Sequence, residues 1–360
     1  MSTEHPCVVR PYEPLPSEVT KTIFLAGPTP RSKEVVSWRP EAISLLASLG
    51  FTGHIFSPEP LGWSKDYDEQ VGWEEMSLNA CDAICFWIPR DLATMPAFTT
   101  NVEWGVWAAS GKAVLGYPQG AEKMRYLHLQ AEKLGVPVEH TLKDALKKCL
   151  EIIGDGAKRV ENEVQVPIGI WRSPQFNNWW ISQKAVGNSL LGAKIIWAWR
   201  ATKPASSGPF FFAARLRVSI AREGGRVKEN ELLISRPDVS ATVMYRRHPS
   251  PQHADETEVV LVKEFRTCGR TPDGYVWELP SGSTSKGTTQ EAAMEECEEE
   301  TGLRLEARRL KYHGTRQLMA TMSSHVAHLF SVELTAEEMA KMRQLSASGE
   351  PRGVVGDSER

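Results

Sequence analysis

The sequence predicts an α/β protein with two halves: an N-terminal doubly wound parallel sheet and a C-terminal α+β fold. Short apolar strands alternate with amphipathic helices through about the first 155 residues, which is typical of a parallel sheet covered by helices. From about Val164 onward, strands and turns dominate around one principal helix. At 360 residues the chain is long enough for two cores.

Local signals place the elements of the first half in order. Apolar runs predict strands, Pro and Thr mark helix starts, and Gly marks helix ends. The predicted elements are a strand at 22–25, a helix after Pro40 that ends at Gly50, a strand at 83–88, a helix at 102–110 that ends at Gly111, a strand from 112 to 115, and a helix capped by Thr141. The uninterrupted apolar run at 83–88 indicates a strand buried on both faces.

The change of pattern predicts a domain boundary near residues 155–166. Gly154-Asp-Gly156 and the charged stretch 158–163 are typical of a connecting segment. We therefore predict a first domain at 1–158, a linker at 159–166, a second domain at 167–346 and a flexible polar tail at 347–360.

The composition limits the classes of partner. With 41% hydrophobic and 24% charged residues and a formal net charge of -3, the chain has no basic stripe for nucleic acid. The sequence contains no apolar run long enough to span a membrane and no Cys-x-x-Cys pair, so we expect no membrane contact, no zinc site and a cytoplasmic location.

A carboxylate-rich helix is the strongest chemical signal. Six glutamates fall between positions 291 and 300. On a helix Glu296 and Glu300 lie one turn apart and Glu299 lies three residues from Glu296, so their carboxylates converge on one face. Oxygen-only clusters suit Mg²⁺ or Mn²⁺. The alternative is a solvated acidic face, which describes most charge runs.

This stretch, with Glu278-Leu-Pro-Ser-Gly282 before it and Glu300-Thr-Gly-Leu303 after it, resembles the Nudix box of Mg²⁺-dependent hydrolases of nucleoside diphosphates. Residues 259–266 and 277–280 resemble the ADP-ribose pyrophosphatase branch. The resemblance implies metal ligands at Glu296, Glu299 and Glu300, a catalytic role for Glu299, and substrate contacts at Arg266 and Glu278.

Three positions depart from the Nudix pattern. Glu295 stands where the family has Arg, the early Glu of the box is missing, and His325 occupies the place of a distal catalytic glutamate. A neutral imidazole at His325 is able to act as a base near pH 7; the alternative is that this position has no catalytic role.

The first half resembles nucleoside 2-deoxyribosyltransferases and related N-glycoside hydrolases, which implies a flavodoxin-like sheet. The matching segments are Ile23-Phe-Leu-Ala-Gly-Pro28, Trp73-Glu74, residues 82–90, and Phe98-Thr-Thr-Asn-Val-Glu-Trp-Gly105. The resemblance implies that Glu103 is the nucleophile, that Glu74 protonates the departing base, and that Asp82 is a further acidic residue of the site. Substrate contacts are expected at Gly27, Thr99, Thr100 and Asn101.

Those residue types suit the chemistry. Cleavage of an N-glycosidic bond passes through an oxocarbenium-like state, which a carboxylate stabilises or traps, while a second acid protonates the base. Ala97 replaces the family's sugar-binding Asp, so the preference between ribose and deoxyribose, and between transfer and hydrolysis, stays open. Glu74 has an alternative interpretation as part of an exposed helix with Glu75, and Asp82 as a turn residue at the entry of a strand.

Two hypotheses follow. In the first, a bifunctional enzyme acts on a small nucleoside or nucleotide with both halves. In the second, the first half alone is catalytic, and the altered Nudix half binds a nucleotide as a sensor. Formation of a homo-oligomer is left open, since it rests on analogy alone.

Overall fold

The computed structural model describes residues 5–32, 34–59, 66–200, 210–283 and 287–349. The chain divides into two compact units, Met1–Ser235 and Arg236–Arg360. Most of the predicted tail, from residue 350 onward, lies outside the described residues.

The first unit begins with an alternation of strands and helices. Its first elements are β1 (Cys7–Val9), β2 (Glu18–Val19), β3 (Thr22–Ala26), α1 (Arg39–Ser48), β4 (His54–Phe56), α2 (Tyr67–Ala80), β5 (Ala83–Trp87), α3 (Phe98–Trp107), β6 (Ala113–Gly116), α4 (Arg125–Leu134), β7 (Val138–Glu139) and α5 (Leu142–Ile153). All of these strands except β2 form one sheet in the order β1-β4-β3-β5-β6-β7. Each neighbouring pair is parallel. The predicted doubly wound parallel sheet is confirmed.

Apolar cores cover both faces of this sheet. Phe24, Phe86 and Trp104 belong to one core, whereas Leu25 and Leu46 belong to the other. Because successive side chains of a strand point to opposite faces, the continuous apolar runs of β3 and β5 supply both cores. The carboxyl ends of these strands form the edge where such sheets bind ligands.

Helix α3 begins four residues before the predicted start at residue 102. The residue before it, Ala97, has φ 61, in the left-handed region, and makes no side-chain cap. Without Ser, Thr, Asp or Asn at this cap position, the sequence carries no local signal for the start. A short 3-10 turn then extends α3 to Ser110, before Gly111 with φ 75. Thr141 caps α5 as predicted, by accepting a hydrogen bond from the Asp144 amide.

The rest of the first unit follows the parallel sheet along the chain and forms separate elements. It comprises β8 (Arg159–Val160), α6 (Ile168–Trp171), α7 (Pro174–Ala185), β9 (Ser189–Arg200), β10 (Phe210–Ile220), β11 (Arg226–Lys228) and β12 (Leu232–Ile234). The last four strands form an antiparallel sheet around β10. The side chain of Asn79, at the end of α2, donates to the Ala193 carbonyl and accepts from the Ile195 amide of β9. The domain limits 1–158 and 167–346 stay a prediction.

The second unit is an α+β fold. Its elements are β13 (Val239–Arg246), β14 (Glu258–Val259), β15 (Val262–Phe265), β16 (Tyr275–Glu278), β17 (Ser281–Ser283), α8 (Thr289–Thr301), β18 (Lys311–Gln317), β19 (Val326–Glu333) and α9 (Ala336–Ser348). The central strand β13 is parallel to β19 and antiparallel to β14 and β17. A capping box of Thr288 and Glu291 begins α8, and Gly302 with φ 68 ends it. Cys297 on α8 packs in the core with Met244 and Val332.

Across the described parts of both units, the helices are too short or too polar to cross a lipid bilayer.

Candidate functional site

The carboxyl end of β3 is shaped by a close approach of backbones. A Cβ atom at Gly27 would lie 2.1 Å from the carbonyl oxygen of Trp87, at the end of β5. Only glycine permits this approach, because any larger residue would clash with the backbone of the neighbouring strand. Gly27, predicted to contact substrate, therefore lies at the ligand-binding edge of the sheet.

A buried guanidinium holds the residues around Gly27. Arg39, the first residue of α1, is 1% exposed. Its Nη2 donates to the Gly27 carbonyl at 2.6 Å, its Nε to the Leu25 carbonyl at 3.2 Å, and its Nη1 to Thr29 Oγ1 at 3.0 Å. Nη1 also lies 3.5 Å from a carboxylate oxygen of Glu59, which follows β4.

Glu74, the predicted acid, projects from α2 and is half-buried. Gln70 Nε2 donates to Glu74 Oε1 at 2.9 Å and to the Pro58 carbonyl at 3.3 Å. Burial raises the pKa of Glu74, while the Gln70 hydrogen bond and the charge of Arg39 oppose the shift. Gln70 thus connects this carboxyl group to the loop that carries Glu59.

Glu103, the predicted nucleophile, is half-buried on α3. Burial, together with the nearby charge of Glu74, raises the pKa of Glu103 to about 8, and Arg39 acts in the opposite direction. The structure therefore brings the carboxyl groups of Glu74 and Glu103 into electrostatic contact although they lie on different helices. Two carboxyl groups that share a low-dielectric site hold one proton between them near neutral pH.

The first turn of α3 places the predicted hydroxyl contacts differently. Thr99 is exposed, whereas Thr100 is buried. Asn101 Oδ1 accepts from Nη2 of Arg90, whose Nη1 donates to the Lys123 carbonyl at 3.2 Å. Arg90 Nε is buried without a hydrogen-bond partner among the described residues. Thr99 and Asn101 are accessible to a ligand, and Thr100 packs inside.

Asp82 lies in another environment. Its carboxylate is 1% exposed and accepts two hydrogen bonds from Arg159, at 2.6 and 2.7 Å. It also accepts from the backbone amides of Thr22 and Ile168, each at 2.8 Å. A buried carboxylate with these partners stabilises the start of β5 and has no accessible lone pair for catalysis. The geometry favours the structural interpretation, so Asp82 is not part of the reaction proposed below.

In the second unit, Glu296 and Glu300 approach the strand that precedes α8. A Cβ atom at Gly282 would lie 2.0 Å from Glu296 Oε1, and the Ser281 amide donates to Glu300 Oε2 at 3.3 Å. Burial and then the charge of Glu296 raise the pKa of Glu300 to about 8. These two carboxyl groups share one half-buried site, as their one-turn spacing predicted.

A divalent cation fits this pair, because oxygen donors suit Mg²⁺ and a cation relieves the repulsion. Glu299, predicted as a third ligand, is exposed, as is Glu295 at the position of the family's Arg. Within the described residues, no group of three His, Cys, Asp or Glu side chains is arranged to hold a metal ion. Glu296 and Glu300 are thus two carboxyl groups that could contribute to holding an ion, and Glu299 stays a predicted ligand.

Arg266 and Glu278, the predicted substrate contacts, pair with each other. Arg266 Nε and Nη2 lie 3.1 and 2.7 Å from Glu278 Oε2. Arg266 Nη2 also lies 2.6 Å from Oε2 of Glu264. Glu264 is on β15, which ends immediately before Arg266, and Glu278 is on the paired strand β16. This guanidinium is divided between two carboxylates, both of which would compete with a phosphate for it.

His325 is 5% exposed in the segment before β19. Its Nδ1 lies 2.9 Å from Ser323 Oγ. Burial first and the charge of Arg236 second lower the pKa of His325, and Asp238 opposes them. The imidazole is therefore neutral near pH 7, the state required of a base.

Sequence reasoning missed Arg39, Glu59 and Gln70. A signal existed for two of them: Glu59 follows an apolar strand, where ligand sites of parallel sheets form, and Arg39 stands beside Pro40 at the start of an apolar helix face. The pairing of these residues depends on the order of strands, which a single sequence does not reveal.

Comparisons with known proteins agree with the family resemblance that the sequence predicts for each half of the chain. The family described as nucleoside 2-deoxyribosyltransferase like matches residues 20–121, and the NUDIX domain family matches residues 251–348. The chain therefore carries one domain of each kind. No curated protein matches the chain.

Solved structures of the T. brucei MERS1 protein show limited similarity. Its RNA complex and its apo form are each 20% identical with a TM-score of 0.24, over 29% of this chain and 36% and 40% of theirs. Its GDP complex is 20% identical with a TM-score of 0.23, over 28% of this chain and 34% of that chain. The matched region spans well under half of each MERS1 chain.

Proposed function

We propose that this chain, which carries a nucleoside 2-deoxyribosyltransferase-like domain and a NUDIX domain, cleaves or transfers an N-glycosidic bond of a nucleoside or nucleotide at Glu74 and Glu103. One observation carries the proposal. Two half-buried carboxyl groups from α2 and α3, with raised pKa values, lie near a buried arginine at the ligand-binding edge of the sheet.

The pair supplies the two groups that the reaction requires when it holds one proton. Ionised Glu103 attacks the anomeric carbon, so a bond forms between its carboxylate oxygen and that carbon as the bond to the base nitrogen breaks. Protonated Glu74 donates its proton to the departing base. Water, or an N–H nitrogen of an acceptor base, then attacks the anomeric carbon, gives its proton to the Glu74 carboxylate and releases Glu103 as the bond between the sugar and its carboxylate oxygen breaks.

The direct test is to trap the glycosyl enzyme. A panel of nucleosides and 5′-nucleotides is screened for release of free base, and the best substrate is quenched in acid during turnover. Peptide mass spectrometry should find the sugar mass on the peptide that contains Glu103. A substrate that turns over without any adduct in wild type, or with an adduct on another residue, would contradict the assignment.

For the NUDIX domain we propose Mg²⁺-dependent hydrolysis of a nucleoside diphosphate joined to another group, with ADP-ribose as the first compound to test. The ion, held by Glu296 and Glu300, would polarise a phosphate oxygen. Arg266 and Glu278 would contact the nucleotide, and Glu299 and neutral His325 are the candidates for proton transfer to or from the attacking water.

A second candidate function is nucleotide sensing without cleavage. The exposure of Glu295 and Glu299, and the division of Arg266 between Glu264 and Glu278, favour it. ADP-ribose binding by calorimetry and ADP-ribose cleavage with Mg²⁺ separate the two functions. Binding without cleavage supports the sensor, and Glu295→Arg with a Glu inserted after Gly287 should then raise cleavage. Vigorous cleavage by the natural sequence would exclude the sensor.

A further inference from the structure

Arg39 is a buried cation behind the proposed glycosidic site. Within the part of the chain that the structure describes, it is among the largest fully buried side chains. Removing a guanidinium from water is strongly unfavourable unless nearby groups compensate for the loss of hydration. Carbonyl oxygens of Leu25, Gly27 and Pro28 supply part of that compensation. Arg39 Nη1 lies 3.5 Å from Glu59 Oε2. Because this ion pair is long, Glu59 neutralises the charge of Arg39 only in part.

A chain of contacts joins Arg39 to the Glu74 carboxyl group. Arg39 pairs with Glu59, and the preceding residue, Pro58, accepts a hydrogen bond from Gln70 at 3.3 Å. The same Gln70 amide donates to Glu74 at 2.9 Å. Polar contacts therefore connect Arg39 on α1, the loop after β4 and helix α2. Arg39 also donates a hydrogen bond to the carbonyl of Gly27.

We propose that Arg39 is a positioning residue of the Glu74–Glu103 site: it fixes the Gly27 loop and supplies the internal positive charge that keeps one of the two carboxyl groups ionised. This inference rests on the proposed function, because it explains how that pair becomes reactive near neutral pH. Arg39 acts through the two glutamates and the loop.

The electrostatics agree with this geometry. Burial raises the pKa of both Glu74 and Glu103, and the charge of Arg39 opposes the rise in each case. Among the described residues, Arg39 is a cation that acts on both glutamates, and Glu59 acts in turn on Arg39. Arg10 approaches the same loop, but its Nη1 donates to the backbone carbonyl of Glu59 at 3.3 Å.

The experiment compares Arg39→Met, Arg39→Lys and Glu59→Gln, with Arg10→Met as the control cation. The pH profile of kcat/KM for base release is measured together with an NMR titration of ¹³C-labelled glutamate, in which Glu103→Gln identifies the Glu103 signal. Loss of a nearby opposite charge should move the ascending limb of Arg39→Met, and the Glu103 titration, upward by about one pH unit or more.

The other variants make the test specific. Glu59→Gln should move both readouts downward, because Arg39 then acts more strongly on the pair. Arg39→Lys and Arg10→Met should leave them close to wild type. Opposite shifts in Arg39→Met and Glu59→Gln are not expected from a merely structural role. Thermal melts identify any variant that fails to fold. If Arg39→Met fails to fold, the shift measured in Glu59→Gln still tests the proposed role of Arg39.

Unchanged titrations in folded Arg39→Met, or no downward shift in Glu59→Gln, would overturn the inference. Its failure is distinguishable from failure of the proposed function, because the NMR titration requires no substrate. If the titrations shift as expected but wild type releases no base from any substrate, the effect of Arg39 on the two carboxyl groups is supported and the proposed glycosidic reaction is contradicted.

Discussion

The two units each contain a pair of half-buried glutamates, and in each pair one carboxyl group has its pKa raised to about 8. In the first unit the pair comes from two helices, with the buried Arg39 as a nearby cation. In the second unit Glu296 and Glu300 lie one turn apart on one helix. The nearby cation there, Arg266, already pairs with Glu264 and Glu278.

This difference concerns the source of the compensating charge. A site with a built-in cation can keep one carboxylate ionised using groups of the protein alone, which suits proton transfer and nucleophilic attack. A like-charged pair whose neighbouring cation is engaged elsewhere gains most from a cation supplied from solution, which suits a metal site. Four predictions test this contrast.

The largest effect is expected for Glu103→Gln. If the first pair is a nucleophile and an acid, loss of the nucleophile should reduce base release by about 10⁴-fold or more. HPLC of the released base measures it, and Glu75→Gln, an exposed neighbour of Glu74 on α2, is the control. Near-normal turnover in a folded Glu103→Gln enzyme would remove the basis of the comparison.

Glu74→Gln should be less severe and should depend on the leaving group. Loss of a general acid costs about 10²–10⁴-fold, and the loss should shrink for a substrate whose leaving group departs without protonation, such as a p-nitrophenyl glycoside. Steady-state rates with both kinds of substrate give the ratio. An equal loss with both would argue that Glu74 has a role other than proton donation.

The pH dependence tests whether Glu103 must be ionised. Since its raised pKa is about 8, the ionised form of the free enzyme grows tenfold per pH unit below that value and levels above it. Because Glu74 must still hold the proton that it donates, the reactive form is the pair with one proton. We therefore expect kcat/KM to pass through a maximum and to fall as pH rises above about 8, where the pair loses that proton. A profile that stays flat from pH 5.5 to above pH 9 would show that the rate does not depend on the protonation of this pair.

The smallest effect concerns the stability of the second unit. Because the pKa of Glu300 is raised from 4.5 to about 8, the folded state holds more protons, and stability falls as pH rises through this window. Glu300→Gln should raise the Tm of metal-free protein at pH 8 by about 2–4 °C, with little change at pH 4.5.

Mg²⁺ provides the second readout of that prediction. It should raise the Tm of wild type at pH 8 and have a much weaker effect on Glu300→Gln or Glu296→Gln. Exposed Glu299→Gln is the matched control from the same helix for the pH effect. Calorimetry that shows unchanged Mg²⁺ affinity in both Glu296→Gln and Glu300→Gln would exclude this pair as the metal site.

The sequence by itself determined the features that are local along the chain. The apolar runs of β3 and β5, the Thr141 cap and the one-turn spacing of Glu296 and Glu300 depend on neighbours in sequence, so their periodicity and residue types were sufficient. The two domain types were also recognisable from short motifs, because each motif lies within one element or two consecutive elements of the chain.

Tertiary structure decided which charges meet. Asp82 pairs with Arg159 across 77 positions, and Arg39 pairs with Glu59 because β4 and β3 are neighbours in the sheet. The position of Glu103 beside Glu74 likewise depends on the order of β3, β4 and β5. A charge's pKa and role depend on burial and on partners a few ångströms away, and folding brings those partners together from distant segments.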